Sequence, residues 1–445
     1  MNRPLMYDYM AFTKKYSLLF VLLLSGFVSS AQSFLSLDSA IAIVLKKNYN
    51  ILIAQNNYQI VSNNHAPGEA GMLPDISLNA GYSSSNNTIN QQYSTGLELN
   101  KSGVVSSTLA PNLGLTWTLF DGTKMFIAYN QLGLLKDEGM LYVKEAMQDN
   151  IAAVIQAYYN IVQQKELLMV LDSNMALYKE EMNIADEQYK IGTGSKLNYL
   201  QAEVSYNIQR SAYFRQQVSI TNAIVQLNQL IELPVEASYK VGDSIPMNRA
   251  LIYDSLKKNM AAQNPSLMLS QTNIKVAENS LKEVDAMRLP TLNLGLSYGL
   301  SRTQSNAGFA LLNQSQGLSG GLIFGWTIFN GSIINIQHKN AEINELNAKL
   351  NFSQAQLQEN AALLIAFQQY EDNIKILKMD EDNFIIAKEN VYVALEQFRI
   401  GTSNIVQLQQ AQISFASAGS QVATDRYNAK VSETQLLQLS AQLVK

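Results

Sequence analysis

Residues 72–83 read MLPDISLNAGYS, in which Ile76, Leu78, Ala80 and Tyr82 alternate with Ser77, Asn79, Gly81 and Ser83. A period of two predicts a strand with one apolar face. After a Ser/Asn/Gln-rich stretch read as a loop, Leu113, Leu115, Trp117 and Leu119 alternate with Gly114, Thr116 and Thr118. The pair recurs: Leu292, Leu294, Leu296 and Tyr298 alternate with Asn293, Gly295 and Ser297, and Leu322, Phe324, Trp326 and Ile328 repeat the second pattern. Runs of about 9–12 residues fit tilted strands crossing a ~30 Å hydrocarbon layer with the other face in water. A half-buried strand of a soluble sheet produces the same alternation. On the membrane reading, Leu113, Leu115, Trp117, Leu322, Phe324 and Trp326 face lipid.

The strands alternate with helical patterns. One helix of moderate length is predicted before each Leu-Pro step, since proline disfavours helix in the residue before it. A much longer one follows each second strand, over 123–190 and 332–399, with Asp121 and Asn330 as expected N-caps. At 1.5 Å per residue each would run about 100 Å. Ile336, Ile343, Leu350, Leu357 and Leu364 recur every seven residues, a coiled-coil seam. Ala341, Ala348, Ala355 and Ala362 form a second lane about 140° around the helix, so two sides are expected to pack.

The turn EQYKIGTGS at 187–195 returns as EQFRIGTSN at 396–404, and LGLTWTLFDGTK at 113–124 as LIFGWTIFNGSI at 322–333, both 209 residues on. MLPDISLNAGYS returns as RLPTLNLGLSYG at 288–299, 216 residues on. A period this long points to duplication rather than a solenoid. The expected organisation is a signal peptide at 1–31, a first repeat at 32–232, a linker at 233–250 and a second repeat at 251–445. The repeated turn is the tip of a helical hairpin. Gly192 and Gly401 end the outgoing helices in the left-handed conformation. Ser195 and Asn404 cap the returning ones, with Gln407 placed for a capping box.

Composition narrows the functions. The chain has 445 residues and no cysteine, which excludes disulfides, zinc–thiolate sites and thiol nucleophiles. Lys14 and Lys15 precede SLLFVLLLSGFV, with small residues to Ala31, the form of a cleaved secretory signal. Without residues 1–31 the charge is 29 minus 35, or −6, which argues against nucleic acid. His65 and His338 read as surface residues. The acidic runs Glu180, Glu181, Asp186, Glu187 and Asp380, Glu381, Asp382 read as solvated helix faces. The 15 methionines show no metal-ligand spacing. No catalytic residue, cofactor or metal is implied, and an enzyme is rejected.

Signal, helix, Leu-Pro strand, the segments Trp117–Gly122 and Trp326–Gly331, long helix, the tips Tyr189–Gly192 and Phe398–Gly401, and returning helix occur in that order, twice. This resembles the TolC family of outer-membrane efflux proteins, over essentially the whole mature chain. The resemblance implies an α+β membrane protein with a duplicated strand–long helical hairpin unit and four strands per chain. It implies a homotrimer forming a 12-stranded β-barrel in outer-membrane lipid, continued by a periplasmic α-helical barrel, with the linker in its equatorial region. Open strand edges cannot face lipid, which argues independently for closure. The implied function is a passive exit duct of a Gram-negative bacterium, docking a periplasmic adaptor (membrane fusion protein) and an inner-membrane transporter. Carried over by position, Ile191, Gly192, Thr193, Ile400, Gly401 and Thr402 are adaptor-docking tips. Asn198, Gln407 and Gln410 are the candidate entrance constriction, amides where some family members carry acids. Two rivals remain: a duct for type I protein secretion, and a soluble exported coiled-coil or adhesin-like trimer.

Overall fold

The computed structural model describes residues 34–247, 250–308 and 310–444. The expected signal peptide lies outside these residues, as do 248 and 249 of the linker. Two compact units emerge. One comprises the residues up to Ile43, Ala157–Ile245 and Asp382–Tyr427, and the other Val44–Gln156, Pro246–Glu381 and Asn428–Lys445.

The elements follow the doubled order. Helices α1 (Leu37–Lys47) and α2 (Tyr49–Asn64) precede β1 (Asp75–Gln92) and β2 (Glu98–Phe120), then α3 (Lys124–Lys190) and α4 (Lys196–Leu230). Helices α5 (Tyr253–Gln263) and α6 (Pro265–Ala286) precede β3 (Thr291–Ser305) and β4 (Leu312–Gly325), then α7 (Ile333–Arg399) and α8 (Ile405–Leu439). The single moderate helix expected in each repeat is two helices. Asn48 and Asn264, 216 residues apart, adopt extended backbone and accept from the next helix's N–H groups. Asparagine caps well, and Pro265 at the following N1 position needs no N–H partner.

The long helices are as long as expected, 67 residues each. Their starts differ from the expectation. Asp121 and Asn330 lie before two left-handed residues, Gly122–Thr123 (φ 75° and 78°) and Gly331–Ser332 (φ 69° and 66°). The helix therefore begins after Thr123 and Ser332, whose carbonyls accept the first helical bonds. Asp121 Oδ1 caps nothing, and Asn330 Oδ1 reaches only Ile334 N at 3.5 Å.

The sheet order is β1-β2-β3-β4, antiparallel throughout. The strands are longer than expected, at 18, 23, 15 and 14 residues. The Ser/Asn/Gln-rich stretch read as a loop is hairpin ladder from Ser83–Thr108 out to Gln92–Glu98. Paired backbones sustain such a ladder without apolar alternation. Conversely, Trp326 and Ile328 lie past the end of β4.

Each unit has its own core. In the first, Leu177, Ile184, Ala202, Leu395, Leu408 and Phe415 cluster with their neighbours. In the same unit Arg426 Nη1 donates to both carboxylate oxygens of Glu166 at 3.1 Å. In the second, Leu256, Met260, Leu267, Leu363, Tyr370 and Leu436 cluster. No helix among the described residues is long and apolar enough to cross a membrane.

Candidate functional site

Directly opposed residues of paired strands share a face. Leu113 lies opposite both Leu78 and Tyr298, and Leu115 opposite Ile76 and Leu296. Trp117 opposes Leu294, which opposes Leu322, and Leu292 opposes Phe324. The register therefore joins the alternating positions of all four strands into one apolar belt, and Ile76, Leu78, Leu113, Trp117, Leu322 and Phe324 are solvent-exposed. The other face carries Asn79, Asn112, Ser297 and Ser319, with Ile323 its one large apolar exception among these positions. Ser297 Oγ donates to Asn112 Oδ1 at 2.5 Å, and the Thr108 and Thr303 hydroxyls lie 3.0 Å apart. This sheet has one lipid-compatible face and one hydrated face.

The two tryptophans have a role that alternation alone did not reveal. Trp117 Nε1–H donates to the Met72 carbonyl at 2.9 Å, and Trp326 Nε1–H to the Arg288 carbonyl at 3.1 Å. Met72 and Arg288 are matched residues of the two Leu-Pro steps. Each indole thus ties the base of a hairpin to the chain entering it. Trp117→Phe and Trp326→Phe are each expected to cost about 1 kcal/mol, the worth of one such bond. A thermal melt of the purified protein checks this.

At the hairpin tips the two turns are superposable in their hydrogen bonds. Gly192 and Gly401 have φ of 82° and 77°. Thr193 N and Thr402 N each donate to the Gln188 and Gln397 carbonyls at 2.9 Å, and the threonine hydroxyls reach the same oxygens. Ser195 Oγ caps α4 through Asn198 N at 3.2 Å. Asn404 Oδ1 accepts from Gln407 N at 3.0 Å while Gln407 Oε1 accepts from Asn404 N at 3.4 Å, a closed capping box. Ile191 and Ile400 project their apolar side chains into solvent at matched positions. Gln188 Nε2 donates to the Phe398 carbonyl at 3.2 Å, tying one tip to the other. Gln407 and Gln410 are exposed and Asn198 half-buried.

Back from the tips lies a feature the sequence misrepresents. Glu181, read as part of a solvated acidic face, is fully buried. Its Oε1 accepts from Gln409 Nε2 at 2.9 Å, and its Oε2 has no partner. Burial raises its carboxyl above the ordinary range, and the adjoining Gln409 and Gln412 amides partly oppose this. Gln412 lies close, yet its own amide atoms make no bond of proper geometry. Tyr178, one turn away, is pushed up to about 12 by burial and then by the Glu181 charge. Its neighbour Glu180 is half-buried and pairs with Arg399 at 2.9 Å, while Glu187 and Asp382 are exposed.

The His65 ring lies against Tyr129 with centroids 4.4 Å apart and the planes tilted by 33°, and His338 Nε2 lies 3.3 Å from Asp285. No group of three metal-ligating acids, histidines or cysteines converges among the described residues.

Comparison with known proteins matches this layout. The chain is 22% identical over 373 residues to the outer membrane protein TolC of Escherichia coli K12, covering 80% of this chain and 72% of that one. It is 23% identical over 289 residues to the alkaline protease secretion protein AprF of Pseudomonas aeruginosa, covering 60% and 58%. The Campylobacter jejuni CmeC outer membrane channel superposes with a TM-score of 0.73 at 17% identity, over 91% of this chain and 85% of that one. These relatives are channel and secretion proteins rather than enzymes. The pattern of the family described as outer membrane efflux protein matches residues 40–231 and 256–442, once in each repeat, and the chain belongs to that family.

Proposed function

We propose that three copies of this chain close into a passive exit duct of a tripartite efflux system. The carrying observation is the unequal burial of one helical lane. Ile336, Ile343, Leu350, Leu357 and Leu364 of α7 are 44–72% exposed. Their counterparts in α3, 209 residues earlier, are Ile127, Leu134, Leu141, Gln148 and Ile155, all half-buried or buried. Helix α6 of the second repeat lies against α3 of the first, with Asn279 Nδ2 donating to Asn130 Oδ1 at 3.3 Å and Lys124 pairing with Glu283 at 3.0 Å. The α2 counterparts of Leu269 and Val276 in α6 are Ile53 and Ile60, which are exposed while Leu269 and Val276 are half-buried. Helix α2 of the next protomer, laid on the α7 lane as α6 lies on α3, covers both faces. The unpaired edges of β1 and β4 need the same partner, because lipid offers them no hydrogen bonds. Three chains of four strands make a closed barrel of twelve.

The absence of cysteine makes this testable. Asn63 and Lys339 are the counterparts of the bonded Asn279 and Asn130. Asn63→Cys with Lys339→Cys is expected to give a disulfide-linked trimer in outer-membrane extracts. Asn130→Cys with Asn279→Cys is expected to crosslink within one chain. A monomer soluble without detergent would end the duct reading.

At the tips, the exposed Ile191 and Ile400 beside Gly192, Thr193, Gly401 and Thr402 supply twin apolar knobs for a periplasmic adaptor, which couples the duct to an inner-membrane transporter. Asn198, Gln407 and Gln410 form the entrance constriction. Gln407→Glu keeps the capping acceptor, so together with Gln410→Glu it should raise cation preference without unfolding the tip. Unchanged selectivity of the purified trimer in planar bilayers would place the narrowest ring elsewhere.

The similarity to AprF favours a second reading, the same duct serving protein secretion. A deletion strain separates them: lost resistance to small toxic compounds supports efflux, and a lost extracellular protein supports secretion.

A further inference from the structure

A cavity of about 220 Å³ opens among Glu145, Gln148 and Asp149 of α3, Glu359 of α7, Asn264 before α6 and Gln438 of α8. It is rich in acceptors and holds no basic side chain. Gln438 Nε2 donates to Asp149 Oδ1 at 2.8 Å, and Asn264 Nδ2 to Glu359 Oε2 at 3.4 Å. Gln148 is only 5% exposed, and its Oε1 has no hydrogen-bond partner. Glu145 is held above the ordinary carboxyl range by burial first and then by the charges of Asp149 and Glu359.

The duplication supplies an internal comparison. The scaffold amides Asn264, Gln435 and Gln438 have counterparts of the same type in Asn48, Gln226 and Gln229. The acids do not: Glu145 corresponds to Gln354, Asp149 to Gln358 and Glu359 to Asn150, while Gln148 corresponds to Leu357. The matched positions thus carry three carboxylates in one set and three amides in the other. Packing does not require the charges, and clustering them unneutralised is unfavourable.

We propose that this cavity binds an organic polycation, ammonium groups carried on a flexible aliphatic chain, one per protomer. The acids line the cavity without converging on a metal-sized point, as no triad among the described residues does. Spaced ammonium groups each meet one carboxylate, and the orphaned Gln148 Oε1 accepts a further N–H. The site stands independently of the duct reading.

The test is calorimetric titration of spermidine into the full-length protein in detergent, with Mg²⁺ as a parallel arm. Saturable binding of one spermidine per chain is expected. It should weaken at least tenfold in Glu145→Gln/Glu359→Gln and in Gln148→Leu, with the melting temperature of each variant at or above that of the parent. No saturable binding, or equal affinity in the variants, overturns the site. Mg²⁺ binding that spermidine does not displace overturns the ammonium assignment.

Discussion

Gly122→Ala is expected to destabilise the chain by roughly 3–5 kcal/mol, combining left-handed strain with overpacking against fixed backbone. Gly122 has φ 75°, and a Cβ there would sit 2.4 Å from the Ala286 carbonyl oxygen and 2.8 Å from Leu289 Cβ. Neither neighbour is the free end of a flexible side chain. Gly331 occupies the same place in the second repeat with φ 69°, yet a Cβ there meets nothing within 4 Å. Gly331→Ala should therefore cost the isolated chain only the left-handed strain, about 1–2 kcal/mol. The counterparts of Ala286 and Leu289 are Ala70 and Leu73, and in the proposed trimer these belong to the next protomer. Gly331→Ala should then leave a folded chain that fails to hold a trimer in unheated electrophoresis, whereas Gly122→Ala should lower folded yield outright. A Gly331→Ala trimer as stable as the parent would disprove this seam.

Glu181→Gln should stabilise the tip-proximal unit at pH above the ordinary carboxyl range and flatten its pH dependence. Because burial raises the folded pKa of Glu181, the folded state holds its proton more tightly than the unfolded state does. Below the unfolded value both states are protonated and no penalty exists. As pH rises from there through the folded pKa, stability falls, and it stays low beyond. On α4 and α8 this layer includes Ser205, Gln409 and Gln412, all uncharged and none able to compensate an ionised carboxylate. A protonated Glu181 carboxyl can instead donate toward the unpartnered Gln412 Oε1, and so can the amide that the Glu181→Gln substitution introduces. An unsatisfied buried polar group costs about 1–3 kcal/mol, so the parent should lose an amount of that order once Glu181 ionises in the folded state. Melting curves of both proteins across pH 5–9 check this. Parallel curves would mean that Glu181 does not titrate in the folded hairpin.

Much of the fold was legible because it rests on local rules. Alternation placed the belt positions on one strand face, and the doubled glycine turn located both tips. Asn404 and Gln407 are three residues apart, the spacing a capping box requires. Other features were hidden for identifiable reasons. The breaks at Asn48 and Asn264 interrupt patterns whose apolar residues continue on both sides, so periodicity reads through them. The polar ends of β1 and β2 are strand only because each supplies the other's ladder. The shift of the helix starts past Asp121 and Asn330 follows from two consecutive left-handed residues, and Thr123 and Ser332 carry no sequence mark of that conformation.

By itself, then, the sequence determined the order of helix and strand, its doubling and the family, since helix period, strand alternation and tip chemistry are all set by residues close together in the chain. Only the tertiary structure decided how matched residues came to differ. Gly122 is crowded and Gly331 open, Gln148 is buried and Leu357 exposed, and one acid of a charged run, Glu181, lies in the core. Each difference depends on what the fold places opposite the residue, and that is fixed by the packing of segments far apart in sequence.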